Sequence, residues 1–262
     1  MRRTARWLGF LVALAIAGCG GGGEQPSSSG SEDGAKPQLT VSAAASLKTA
    51  FTEYGTQFAD ASARFSFAGS DELAAQIEQG VKPDVYAAAN TKLPDQLYEK
   101  GLVEQPAIFA ANELVLAVPD DGADVTSLDD LTRDGVDIAI GDQDVPVGAY
   151  TRTVLAKLPA RQREAILGNV RSEEPDVAGI TGKLTQGAVD AGFLYATDVR
   201  ATDGRLKEIT LPDDLQPQVA YGIAVVKGAK HPEQAQAFID GLLDGAGAQA
   251  LQDAGFRPPP EL

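Results

Sequence analysis

The sequence predicts an α/β protein of two lobes joined by two strands that cross between them. Three observations predict it. From Thr40 onward, short apolar runs alternate with amphipathic helical stretches over short connections, the pattern of a sheet with helices on its faces. The strong strand ELVLAVP at Glu113–Pro119 is followed by a second set of the same kind. Another strong strand, VAYGIAVV at Val219–Val226, comes late enough to cross back to the first set.

The elements follow in order. Thr40–Ala44 reads as a buried strand, and Ser46–Phe58 as a helix with Leu47, Ala50, Phe51, Tyr54 and Phe58 at helical spacing. Phe65–Ala68 and Ser70–Glu78 repeat the strand and helix, and Val85–Ala89 with a helix near Lys92–Lys100 repeat them again. This alternation argues for a parallel sheet. After Glu113–Pro119 come a helix near Ser127–Arg133, a strand at Val136–Ile140, and helices at Pro146–Leu158, Arg161–Leu167 and Val177–Gln186. Ala191–Tyr195 is a strand, and helices at Pro232–Leu243 and Ala246–Ala254 close the chain. The first lobe is then discontinuous, 38–117 and 222–262, with 118–221 as the second. Two lobes on two crossing strands suit a protein that closes about a hinge.

The N-terminus reads as a delivery signal. Arg2, Arg3 and Arg6 precede an apolar stretch, Trp7–Ile16, too short for a permanent membrane span. Ile16-Ala17-Gly18-Cys19 resembles the lipobox of bacterial lipoproteins. The resemblance implies a signal peptide over 1–18 and a diacylglyceryl group on Cys19; an ordinary secretory signal with an incidental cysteine is the alternative. Residues 19–37, GGGGEQPSSSGSEDGAKP after the cysteine, read as a flexible tether. Cys19 is the chain's single cysteine, which excludes an intrachain disulfide and a cysteine-based metal site.

The chain carries a net charge of −15, and loss of residues 1–18, with three arginines and no acids, takes it to −18. Such a surface argues against nucleic acid and against polybasic contact with lipid. It also opposes long-range attraction of an anion, so any anion must be held by local dipoles. Three stretches provide them: AAASL at 43–47, FAGSDEL at 67–73 and VPVGAY at 145–150 each turn from an extended run into a helix. A helix start leaves about four N–H groups without partners and carries partial positive charge, so several starts meeting in one cleft would bind a small oxyanion without lysine or arginine. Ser46 and Ser70 stand where they would cap two of these helices, and Gly69 and Gly148 would let backbone approach the anion. The lone histidine, His231, precedes Pro232 at a helix start and reads as a capping or surface residue. No nucleophile–base pair is evident.

AAASLKTAF (43–51), FAGSDELAAQIEQG (67–80), DVYAAAN (84–90), AIGDQDVPVGAY (139–150), PDVAGITGKLTQGAVDAGFLYATD (175–198) and VAYGIAVVKG (219–228) together resemble the substrate-binding proteins of molybdate ABC transporters, in order and across the whole mature body. The resemblance implies a two-lobed, type II periplasmic-binding-protein-like fold. It implies an oxyanion held by the hydroxyls and N–H groups of Ser46 and Ser70, the N–H groups of Val147 and Val177, and the hydroxyl of Tyr195. Molybdenum enters only as molybdate, tungstate is an expected second ligand, and no cofactor or catalysis is implied. The expected partners are an ABC permease and its ATPase, and the expected state is a lipid-anchored monomer outside the cytoplasmic membrane. Asp71 departs from the family pattern; Asp71 and Asp176 are expected to cap or balance helix starts, the alternative being an inward carboxylate that takes a proton from the ligand. Sulfate or phosphate binding on the same fold, and a sensing lipoprotein or an enzyme on this scaffold, are the competing readings.

Overall fold

The computed structural model of the protein describes residues 36–121 and 124–260. The signal peptide, Cys19 and nearly all of the tether lie outside those residues. In chain order the elements are β1 (Gln38–Ala44), α1 (Lys48–Gln57), β2 (Ser62–Ala68), α2 (Ser70–Glu78), β3 (Val85–Ala88), α3 (Lys92–Glu99), β4 (Ala107–Asn112), β5 (Leu114–Pro119), β6 (Ile138–Gly141), α4 (Pro146–Ala156), α5 (Ala160–Gly168), β7 (Val170–Glu174), α6 (Val177–Thr185), β8 (Ala191–Tyr195), α7 (Ala196–Arg200), β9 (Leu206–Thr210), β10 (Val219–Val225), α8 (Pro232–Leu243) and α9 (Ala246–Asp253).

The strands form two five-stranded sheets, ordered β2-β1-β3-β10-β4 and β7-β6-β8-β5-β9. The two orders are equivalent. In each, a parallel trio is extended by one antiparallel strand and a further antiparallel edge: β10 pairs antiparallel with β3 and β4, and β5 with β8 and β9. The sheets are therefore mixed, where helix alternation alone argues for parallel ones. The reason is connectivity, since β5 and β10 each enter their sheet from the other half of the chain.

The two strong strands do not themselves span the halves. β5 lies wholly in the second sheet and β10 wholly in the first. The passages are the short step Asn112–Leu114 and the segment 211–218 before β10. They meet at one place, because Asn112 at the end of β4 pairs with Val219 at the start of β10. The dividing points expected at 117/118 and 221/222 thus shift to about 113 and 218.

Packing of the first half follows the periodicity. Leu47, Ala50, Phe51, Tyr54 and Phe58 are all buried. Phe51 meets Phe238 of α8 edge-on at 5.6 Å and Phe109 of β4 at 5.9 Å, pairs that add roughly 0.5–1.5 kcal/mol each beyond simple burial. Where a helix is expected near Ser127–Arg133, only a 3-10 turn forms at Asp129–Thr132. There the Asp130 carboxylate accepts the N–H groups of Thr126 and Ser127 at 2.9 Å, a local alternative to helical bonding. His231 occupies the N-cap position of α8 without a side-chain cap; its backbone N–H donates to Asp84 Oδ1 at 2.8 Å.

Candidate functional site: a chamber between the two sheets

The parallel strands of each sheet end toward the same place. Ala44 ends β1 and Ala45 and Ser46 follow it, Ala68 ends β2 and Gly69 and Ser70 follow it, and Ala89 follows β3. From the other half come Val145, Pro146 and Val147 at the start of α4, Asp176 and Val177 at the start of α6, and Tyr195 at the end of β8. These residues line one small chamber, outside the carboxyl ends of the strands, where open α/β sheets place their ligands. A water-sized sphere can set its centre within about 20 Å³ there. Adding the sphere's own ~1.4 Å radius gives a chamber roughly 3 Å in radius. That is the scale of one tetrahedral oxyanion.

All five residues singled out in the sequence, Ser46, Ser70, Val147, Val177 and Tyr195, lie in this wall. None of the described residues lining it is lysine or arginine. Val147 and Val177 stand in the first turns of α4 and α6, where N–H groups have no acceptor within the helix. The two serines do not cap their helices as expected. Ser46 sits in a 3-10 turn, Ala45–Leu47, ahead of α1, and Ser70 is the first residue of α2 behind Gly69; neither start has a side-chain cap. Both hydroxyls instead meet buried partners. Ser70 Oγ accepts the Ala89 N–H at 3.1 Å, and Ser46 Oγ lies 3.0 Å from the Tyr221 hydroxyl.

Tyr195 is the sharpest feature. Its side chain is 1% exposed, and its hydroxyl has no hydrogen-bond partner among the described residues. Burial, with Tyr221 and Tyr150 adding to it, pushes this hydroxyl well above the usual tyrosine range, so it stays protonated. A buried hydroxyl without a partner costs roughly 1–3 kcal/mol. On the chamber wall, this hydroxyl keeps its proton free of any protein acceptor among the described residues.

The carboxylates divide. Asp176 lines the chamber, and its Oδ1 accepts the Gly179 N–H at 2.9 Å as the N-cap of α6. That is the capping role expected from the sequence. Asp71 is not in the wall. Its Oδ1 is buried without a partner among the described residues, and burial, then Asp142 and Asp144 from the other half, push its carboxyl up against the pull of the Asp71 and Glu72 amides. Gly69 and Gly148 do allow close approach, but of protein to protein. A Cβ on Gly69 would lie 2.5 Å from the Pro175 carbonyl oxygen across the chamber mouth. One on Gly148 would lie 1.8 Å from the Asp142 carbonyl oxygen within its own half.

Asp198 was not singled out in the sequence. It is buried in α7, and its Oδ2 accepts the Tyr195 N–H at 3.2 Å. Burial pushes its carboxyl up to about 7; the Tyr195 amide holds it partly down and Asp176 adds to the rise. Between the ordinary aspartate value near 4 and 7, the folded protein keeps a proton that the unfolded chain has released, so this group lowers stability as pH rises through that window. Asp198→Asn keeps an acceptor for Tyr195 and never ionises. It is expected to raise stability at pH 8 by at most about 4 kcal/mol, at about 1.4 kcal/mol per pKa unit, and to change little at pH 4. Urea denaturation at the two pH values checks this; an equal effect at both would remove the buried charge as its cause.

A model of the bacterial extracellular solute-binding protein family matches residues 39–257. The molybdate-binding protein ModA of Mycobacterium tuberculosis is 33% identical over 97% of this chain and 100% of its own length. Among solved structures, the periplasmic molybdate-binding protein of Azotobacter vinelandii superposes with a TM-score of 0.76 at 20% identity, covering 85% of this chain and all of that one. The sulfate-binding protein SubI of M. tuberculosis superposes with a TM-score of 0.73 at 18% identity, over 85% of this chain and 87% of that one. The fold is thus the two-lobed periplasmic-binding-protein type, with one sheet in each lobe.

Proposed function

The chain belongs to the bacterial extracellular solute-binding protein family, and on that footing we propose that it captures molybdate, and tungstate with it, outside the cytoplasmic membrane and delivers the anion to an ABC permease and its ATPase. The observation that carries this reading is the chamber itself: oxyanion-sized, bordered by both lobes, lined with donors and with no cationic side chain. Ser46 and Ser70 donate from the first lobe, and Val147, Val177 and Tyr195 from the second. The relative from M. tuberculosis, matched over its full length, supports molybdate as the anion.

The mechanism is capture by closure. The lobes, 36–112 with 219–260 and 113–218, move about the place where Asn112 meets Val219. Neither lobe alone surrounds the anion, so binding energy from both sets of donors is realised only when they close. Hydrogen bonds to a charged acceptor contribute about 1.5–3 kcal/mol each, and fixed hydroxyl and N–H dipoles cost less to desolvate than a buried ammonium. A set made of donors favours a fully deprotonated anion, since a protonated one also needs an acceptor. Asp176, the carboxylate of the wall, has Oδ1 committed to capping α6. The protein acts as a binding component and not as an enzyme. Cys19 holds it to the membrane through a lipid, with residues 19–37 as the leash, and it works as a monomer.

Thermal denaturation with molybdate, tungstate, sulfate or phosphate at equal concentration tests the ligand. A ligand at about a thousand times its dissociation constant stabilises by roughly 4 kcal/mol. The expected result is a shift with molybdate and tungstate alone; a shift only with sulfate or phosphate would replace the ligand. Ser46→Ala and Ser70→Ala are each expected to weaken molybdate about ten- to hundredfold by loss of one charge-assisted bond. Ser70→Ala should also destabilise the free protein, because the Ala89 N–H loses its acceptor.

A further inference from the structure

A chain of buried polar side chains runs from Ser46 to the point where β4 ends and the chain crosses between the lobes. Asn112 closes β4, and its Oδ1 accepts the Glu113 N–H at 2.9 Å. That bond fixes which end of the amide is which. Nδ2 therefore faces Thr197 Oγ1 at 2.8 Å and the Tyr221 hydroxyl at 3.3 Å. All four side chains in this chain of contacts, Ser46, Asn112, Thr197 and Tyr221, are buried.

An amide nitrogen has two protons and no lone pair to offer. The Tyr221 oxygen must therefore accept from Asn112. Its single proton is left for Ser46 Oγ, 3.0 Å away. Ser46 Oγ is then an acceptor toward Tyr221, and its own proton is free for the chamber. Ser70 reaches the same state more simply, because the Ala89 N–H occupies its oxygen. In both serines the protein uses the lone pair and leaves the proton.

We propose that Asn112 and Tyr221 are positioning residues that make Ser46 a donor to the ligand, and so set the chamber's preference for fully deprotonated oxyanions over protonated ones. This rests on the anion-binding reading of the chamber. Burial, with Asp198 adding to it, pushes the Tyr221 hydroxyl well above its ordinary value, so it keeps the proton that the relay needs. Without the relay, the Ser46 hydroxyl rotates freely and accepts a proton from hydrogen phosphate as readily as it donates to molybdate. The relay also joins both lobes, since Thr197 stands in the second and Tyr221 in the first. Ser46 is thus ordered from the point where the chain crosses between them.

The test is calorimetric titration of the full chain with molybdate and with phosphate, in wild type, Tyr221→Phe, Ser46→Ala, the double variant and Asn112→Ala. Tyr221→Phe is expected to weaken molybdate about tenfold and to lower the molybdate-to-phosphate affinity ratio by a similar factor. Because Tyr221 acts through Ser46, the double variant should bind molybdate no more weakly than Ser46→Ala alone. Additive losses, or an unchanged ratio, would overturn the relay. Asn112→Ala frees Tyr221 to accept from Ser46, so the ratio should fall in the same direction. That variant decides alone if Tyr221→Phe does not fold, and an unchanged ratio then overturns the proposal. If Ser46→Ala binds molybdate as wild type does, the anion reading fails and the relay with it. A weakened Ser46→Ala with an additive Tyr221→Phe removes only the relay.

Discussion

Gly69→Ala is expected to weaken oxyanion binding by about 10²–10⁴-fold while each lobe folds normally, the equivalent of roughly two charge-assisted hydrogen bonds lost. Gly69 has φ −57° and ψ 137°, a conformation open to any residue, so alanine brings no backbone strain. The penalty is contact across the cleft. The new Cβ would stand 2.5 Å from the Pro175 carbonyl oxygen and 3.3 Å from Val145 Cγ1, both on the opposite lobe, and 2.9 Å from Asp71 Oδ1 on its own lobe, the end of a side chain that can turn aside. Backbone oxygen cannot rotate away, so the lobes must stay apart by close to 1 Å. At that separation, donors anchored on one lobe lose their bonds to an anion seated on the other. Calorimetric titration with molybdate reads the loss, and the melting temperature of the free protein reads the fold. Near wild-type affinity would mean that closure at this contact is not part of binding. Gly148→Ala is a useful contrast. Its clash, 1.8 Å from the Asp142 carbonyl oxygen, lies within one lobe, so it should damage folding before it damages closure.

The interior of the fold was legible in the sequence and its edges were not. The central strands β1, β3, β6, β8, β5 and β10 are almost wholly buried, and all but β1, QLTVSAA, read as continuous apolar runs. The strands that the sequence pattern leaves unassigned are β4, β7 and β9, all at sheet edges, although β4, AIFAAN, is apolar in five of its six residues. In β7, Val170–Glu174, no residue is fully buried, and β9, Leu206–Thr210, buries only Leu206. β2, the fourth edge, is legible only from Phe65 onward, and its half-buried pattern explains why. An edge strand pairs through its backbone on one side only, and its side chains need not be apolar. The chamber residues were legible for a different reason. Ser46 and Tyr195 stand at the ends of buried strands, and Ser70, Val147 and Val177 open the helices that follow β2, β6 and β7, so the strand-to-helix turns locate the donors. Their hydrogen-bond partners were not legible. Tyr221 lies 175 residues from Ser46, and Asn112 lies 109 residues from Tyr221. Nothing local marks such pairs. The capping role expected for the serines fails for the same reason: a local partner looks sufficient until distant backbone and side chains are brought up to the hydroxyl.

Tyr195→Phe is expected to move stability and binding in opposite directions. The Tyr195 hydroxyl is buried and has no partner among the described residues, so in the free protein it is a desolvated dipole with nothing in return. Removing it is expected to stabilise the free protein by about 1 kcal/mol, a rise of roughly 2–4 °C in melting temperature for a chain of this size. The ring stays, with its edge-on contacts to Tyr221 at 5.9 Å and Tyr150 at 6.5 Å, so packing is not disturbed. On the proposed reading, the same oxygen donates to the anion from the second lobe, and its loss weakens molybdate about 10–100-fold. The two shifts have one cause, a donor whose acceptor is the ligand. A variant made less stable would mean that the hydroxyl has a protein or solvent partner. A more stable variant with unchanged affinity would mean that the donor faces the chamber and not the anion. Ser70→Ala gives the opposite pattern, a loss in both, because its oxygen already serves the Ala89 N–H. Measured side by side, the two variants separate a group held in reserve for the ligand from one that also holds the fold.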